Sequence, residues 1–308
     1  MRTFYSEPFC SLNIMQPVQQ AMGFWQRQGL SQYCRLVREQ LENAMLRSSR
    51  PHGLIIREQN ANGVKAEMLY WEQDAPRRYV LYLHGGGYVL GSIDTHRELA
   101  AQIARVADAR VLVIDYRLAP EGPFPAGLND TEQAYRWLLE IGVPPEQIAL
   151  AGDSAGGGLA LALLQRLRGK GLPMPAAGVF LSPWVDLTCT TPSLDTNAAT
   201  DLLLNKPQMQ SFARVYAGNQ PLASPGVSPL FGDFEGLPPC LIQVSRQELL
   251  LDDAVRLNET MEKAGVICKL SKWSQMPHAW QLLHRYLFQA DEALKEIGEF
   301  LQQRVKAD

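Results

Sequence analysis

The segment Gly152-Asp153-Ser154-Ala155-Gly156 sets a serine between glycines two residues before and two residues after it. That spacing suits a sharp strand-to-helix turn that lifts a hydroxyl above a sheet, because side chains at the two flanking positions would collide. A strand-like run, Ile148–Ala151, precedes the turn, and a helix-like run, Ala155–Arg168, follows it. A helix starting just after Ser154 points free N–H groups and a partial positive charge at the hydroxyl. Ser154 is therefore a candidate nucleophile. Attack by aspartate would need that residue at the centre of the turn, so Asp153 is expected to be a local hydrogen-bonding group. A glycine-rich turn with an incidental serine is the plain alternative, and the flanking strand and helix weigh against it.

Acyl transfer also needs donors for the developing oxyanion, and a base. His84-Gly85-Gly86-Gly87 follows a second strand-like run, Tyr79–Leu83. Its backbone N–H groups, together with that of Ala155, suit an oxyanion hole; sequence leaves open which of Gly85, Gly86 and Gly87 donate. His84 lies upstream of the serine and is expected to brace this loop. Only His278 and His284 follow Ser154 and a possible acid. His278 sits in a loop after the strand-like run Lys269–Trp273, where a base can reach a site, whereas His284 falls in a helix-like stretch. Beyond the run Leu241–Val244 stand Glu248, Asp252 and Asp253. Glu248 is placed for the acid that orients the imidazole, and the two aspartates look like first-turn charges of the next helix.

These groups need a frame. The runs named above, with Val111–Asp115 and Gly178–Leu181, are rich in Val, Ile and Leu without clean alternation, as in parallel strands covered on both faces. Helix-like stretches near Thr95–Ala107, Asn129–Leu139, Ala155–Arg168 and Asp253–Lys263 lie between them, giving an α/β architecture. His52–Glu58 and Glu67–Trp71 look like an antiparallel edge. Two regions break the rhythm. Leu30, Tyr33, Leu36, Val37, Leu41 and Met45 recur at helical spacing within residues 1–50, and the connection from about 184 to 238 is too long for an ordinary loop, with a helix near Gln208–Tyr216. We expect residues 1–308 to form one domain, with these two pieces packed over the strand ends as a helical cap. Phe24, Trp25, Trp184, Phe212 and Tyr216 are candidates for its pocket walls, and equally for ordinary packing.

The 308 residues carry a net charge of −3 with no basic run, which gives no case for nucleic acid or an anionic membrane surface. Five irregularly spaced cysteines suggest free thiols in a reducing compartment, and no apolar run reaches the ~18 residues of a membrane span. A cytoplasmic location without a secretory leader is the expectation. No cluster has metal-ligand spacing, so a metalloenzyme is not expected.

Four separated segments also match a known pattern in order: His84–Gly87, Asp115-Tyr116-Arg117-Leu118-Ala119-Pro120-Glu121, Gly152–Gly156 and Met276-Pro277-His278. Together they resemble the hormone-sensitive-lipase family of esterases. The resemblance implies a capped α/β-hydrolase fold, hydrolysis of small-molecule short- to medium-chain acyl esters without cofactor, and often a homodimer. The family usually has Asp-Pro-Leu at the acid position, where this chain has Glu248-Leu249-Leu250. The Glu-Leu-Leu-Leu-Asp-Asp wording resembles acetyl- and lactone hydrolases of the same family, which keeps lactones in view as substrates, and the shared triad machinery keeps small amides in view. Receptors related to these esterases have lost the catalytic histidine; His278 is retained here. Asp115 and Arg117 are expected to brace loops.

Overall fold

The computed structural model describes residues 34–40, 52–71 and 78–307. Eight strands form one sheet: β1 (Leu54–Ala61), β2 (Val64–Trp71), β3 (Arg78–Leu83), β4 (Ala109–Ile114), β5 (Ile148–Asp153), β6 (Ala177–Leu181), β7 (Cys240–Ser245) and β8 (Cys268–Trp273). The helices are α1 (Ile93–Ala107), α2 (Ala126–Glu140), α3 (Ala155–Gly169), α4 (Ser193–Thr196), α5 (Lys206–Ala217), α6 (Leu251–Lys263) and α7 (Phe288–Arg304). Strand order is β1-β2-β4-β3-β5-β6-β7-β8. The β1–β2 and β2–β4 pairs are antiparallel, and all others are parallel. The expected antiparallel edge is therefore present.

Both faces of the sheet are covered, which is why its strands are apolar throughout. Along β3, Leu81 and Leu83 face one core with Leu159 and Leu163 of α3, while Val80 and Tyr82 face a second core with Leu99, Ile103 and Ile297 of α1 and α7. Side chains alternate faces along a strand, so one run feeds both cores. The chain leaves β3 toward β4 on one side and returns to β5 on the other, so a crevice opens at the carboxyl ends of β3 and β5.

The Asp115-to-Glu121 segment braces this edge as expected. Asp115 falls just beyond β4, accepts the Ile93 N–H at the start of α1 (2.7 Å) and pairs with Lys65. Arg117 pairs with Asp130 of α2 at 2.7 Å. Within residues 34–40 the chain is helical. Its buried face is carried by Cys34 and Val37, three residues apart, while Leu36 points outward at 41% exposure, a correction to the spacing proposed from sequence. Arg38 ties this turn to the carbonyls of Val89 and Ala119, both at 2.8 Å. The rest of the expected N-terminal helix, with Phe24 and Trp25, lies outside the described residues. Cys34, Cys189, Cys240 and Cys268 are free. No helix among the described residues is long and apolar enough to cross a membrane.

Candidate active site

Ser154 stands where β5 turns into α3, with φ +52° and ψ −121°, a conformation that non-glycine residues adopt only when the surroundings hold them there. Its N–H donates to the Leu181 carbonyl (2.8 Å), and its carbonyl accepts from Trp184 N–H (2.9 Å) and Gly158 N–H (3.1 Å). A Cβ on Gly152 would sit 2.5 Å from the Gly156 carbonyl, and one on Gly156 would overlap the Leu83 carbonyl oxygen. Both glycines are thus required by close backbone approach.

His278, in the loop after β8, donates from Nδ1 to Glu248 Oε2 at 3.0 Å. Glu248, in the turn after β7, is 1% exposed, and its Oε1 accepts the Ser245 N–H at 3.3 Å. The His278 loop is fixed from two sides: Ser245 Oγ donates to the Met276 carbonyl at 2.5 Å, and Ala279 N–H donates to Ser182 Oγ at 3.2 Å. Burial opposes charge on His278, but the Glu248 carboxylate outweighs it and holds the imidazole above its ordinary pKa. Burial pushes Glu248 upward, with His278 pulling against that shift.

The N–H groups of the glycine loop after β3 differ in their partners. Gly85 N–H donates to Asp153 Oδ1 (3.0 Å). No described residue accepts from the N–H of Gly86 or Gly87, and Ala155, as first residue of α3, has no intrahelical acceptor. Gly86 and Gly87 line a cavity of about 240 Å³ together with Ser154 and His278. Its remaining walls are mostly apolar, with His96, Asp153 and Gln208 as the other polar residues. Trp184, Leu203, Leu204, Met209 and Phe212 contribute from the β6–β7 connection, and Leu250 from the residue before α6. Tyr216 is not a wall residue; it stacks on Tyr88 at 3.9 Å between ring centroids.

Residues 80–282 match the model of a family described as having the alpha/beta hydrolase fold. An acetyl-hydrolase of Streptomyces hygroscopicus is 45% identical over 225 residues, covering 73% of this chain and 75% of that protein. An esterase of Acinetobacter venetianus is 38% identical over 240 residues, covering 77% and 78%. A crystal structure of an esterase from the bacterial hormone-sensitive lipase family superposes with a TM-score of 0.88 at 42% identity, covering 96% of this chain and 97% of that one. This chain belongs to the hormone-sensitive-lipase family of α/β-hydrolase esterases. It is a carboxylic ester hydrolase.

In this family member Tyr82 and His96, which the sequence did not single out, support Asp153, the local hydrogen-bonding group that it did. Asp153 is 2% exposed and accepts from Tyr82 Oη (2.6 Å), Gly85 N–H and His96 Nε2 (3.3 Å). Burial alone would raise its pKa; His96 and Tyr82 reverse that and hold the carboxyl below its ordinary value. His84 does brace the glycine loop, with Nδ1 on the Gly85 carbonyl at 2.8 Å and its ring stacked on Tyr116. Burial, and then the neighbouring His96, lower its pKa to about 4, so the ring is neutral. His284 pairs with Glu98 at 3.1 Å, away from the cavity.

The turn that carries Glu248 is held by the β6–β7 connection of this esterase. Asn197 Nδ2 donates to the Glu248 carbonyl (2.9 Å), and Asp201 accepts from Leu249 N–H (2.8 Å) and from Leu203 and Leu204 N–H (2.9 Å each). Asp252 and Asp253 do lie in the first turn of α6, as expected. Their carboxylates bind more than the helix end, however. Asp252 accepts Ser193 N–H at 2.7 Å, and Asp253 accepts the N–H groups of Val185 (3.0 Å) and Asp186 (2.9 Å). These contacts join segments some sixty residues apart, which is why short-range spacing did not announce them.

Proposed function

We propose that this esterase hydrolyses short- to medium-chain acyl esters through a Ser154–His278–Glu248 triad and an acyl-enzyme. The observation that carries this reading is the His278 Nδ1–Glu248 hydrogen bond behind a cavity that Ser154 and His278 both face. With its Nδ1 proton held by the carboxylate, the imidazole has its Nε2 lone pair free to accept a proton.

The steps follow from these positions. Ser154 Oγ bonds to the ester carbonyl carbon as its proton passes to His278 Nε2, and the carbonyl oxygen takes the negative charge. N–H groups of Gly86, Gly87 and Ala155 receive that oxyanion, each such donor typically contributing a few kcal/mol. Collapse breaks the bond to the alcohol oxygen, which takes the proton from His278. Water then attacks the acyl-enzyme, again giving its proton to His278, and the carboxylic acid leaves as Ser154 recovers its hydrogen. The wall of Leu203, Leu204, Met209 and Phe212 supports the reading of the 184–238 segment as a cap. A cavity of about 240 Å³ lies below the ~300–1,000 Å³ of sites that enclose drug-sized ligands, which favours acyl chains of modest length.

Hydrolysis of p-nitrophenyl esters from acetate to decanoate tests this, with Ser154→Ala alongside. We expect turnover to peak among the short and medium chains, and to fall at least ~10⁴-fold in Ser154→Ala. A variant that keeps wild-type turnover would refute Ser154 as the nucleophile.

A further inference from the structure

Most of the cavity wall away from Ser154 and His278 is apolar, and α5 contributes one polar side chain to it. Gln208 faces it alongside Met209 and Phe212. Gln208 and Phe212 are four residues apart, hence on one stripe of the helix.

The orientation of the Gln208 amide follows from its neighbour. Asn205 caps α5, and its Oδ1 accepts the Gln208 backbone N–H at 2.9 Å. A backbone N–H can only donate, so that atom of Asn205 is the oxygen and the other is Nδ2. Asn205 Nδ2 in turn meets the Gln208 side chain at 3.2 Å, so the Gln208 atom there must be the acceptor Oε1. Gln208 Nε2 is left as a donor that no described residue accepts from. The other polar side chains of the wall are committed. His96 Nε2 faces Asp153, Trp184 Nε1 donates to the Asp186 carbonyl, and Ser154 and His278 react.

We propose that Gln208 is a specificity-determining residue: its Nε2 donates to a second oxygen in the substrate, so the preferred esters carry an ether, carbonyl or hydroxyl oxygen in the chain that runs along α5. A donor in an otherwise apolar wall discriminates because a purely hydrocarbon chain would cover it and leave it unpaired. This rests on the serine-esterase reading of the same cavity.

The test compares matched esters in which one CH₂ is replaced by oxygen. p-Nitrophenyl pentanoate is paired with p-nitrophenyl 3-methoxypropanoate for the acyl side, and butyl acetate with 2-methoxyethyl acetate for the alcohol side. The ratio of kcat/KM, oxygenated over hydrocarbon, is measured for the wild type, Gln208→Met and Gln208→Glu. Methionine removes the donor at similar volume; ionised glutamate removes it while keeping an acceptor for Asn205. Intrinsic ester reactivity cancels when ratios are compared between proteins. We expect the ratio to fall roughly three- to tenfold in both variants for one of the two pairs. If one variant does not fold, by circular dichroism, the other decides. Ratios unchanged for both pairs overturn the role of Gln208 while leaving the esterase reading intact. A wild type that turns over no member of either pair refutes the esterase reading, and this proposal with it.

Discussion

Glu248→Gln is the substitution whose effect the local geometry specifies most fully. In the native protein one carboxylate oxygen accepts from His278 Nδ1–H at 3.0 Å and the other from Ser245 N–H at 3.3 Å. A glutamine of the same shape has one oxygen and one NH₂. The Ser245 N–H can only donate, so it selects the amide oxygen, and the NH₂ is left facing His278 Nδ1. The ring then accepts at Nδ1 and carries its proton on Nε2, toward the cavity, where it cannot take a proton from Ser154. Enforcing the unproductive tautomer in a serine triad costs about 10³–10⁴ in kcat, or roughly 4–5.5 kcal/mol at 1.36 kcal/mol per decade. Glu248 does not line the cavity, so KM should stay within about threefold. The pH profile gives an independent reading. His278 must be neutral to act as base, and Glu248 holds its pKa above the ordinary value of 6.5. Wild-type kcat/KM should therefore rise with pH through a midpoint above 6.5, and that midpoint should move down in Glu248→Gln. The assay is p-nitrophenyl butyrate hydrolysis from pH 5 to 9, with circular dichroism to confirm folding. Glutamine turnover within tenfold of wild type, with an unmoved midpoint, would refute the assignment of Glu248.

Three further outcomes follow from the same contacts. Asp153→Asn can keep the oxygen that serves both Tyr82 Oη and Gly85 N–H, turning its NH₂ toward His96, whereas Asp153→Ala orphans both buried donors; denaturant titration should show a cost below ~2 kcal/mol for Asn and about 2–6 for Ala, with kcat falling further in Ala as the glycine loop loosens. Asp253 is pushed up to about 7 by burial, so the folded protein binds more protons than the unfolded chain between about pH 4 and 7, and this group's contribution to stability declines as pH rises through that window. Asp253→Asn should remove that decline, on the order of 4 kcal/mol across the window, and a variant whose stability follows pH like the wild type would count against it. Phe212→Ala opens the α5 wall and should shift the best p-nitrophenyl ester to longer chains at a stability cost of about 3 kcal/mol; an unchanged chain-length profile would place the acyl chain elsewhere.

The sequence by itself determined the sheet, the order of its elements and the type of chemistry. Runs such as Tyr79–Leu83 and Ile148–Ala151 are apolar on both alternating faces, and that pattern is a local consequence of burial from two sides. Gly152, Ser154 and Gly156 are legible because the turn they form is steric and spans five residues. His278 and Glu248 could be chosen by chain order and loop position. Tertiary structure alone decided the rest. It gave the Gly85 N–H to Asp153, and it turned Tyr216 away from the cavity to stack on Tyr88. It also gave Asp253, Asp201 and Asn197 their work on segments fifty to seventy residues distant. Hydrogen bonds are satisfied by whatever the fold brings within about 3 Å. Sequence spacing constrains that within one turn or strand, but not between the connection after β6 and the turn after β7, which become neighbours only when the sheet is assembled.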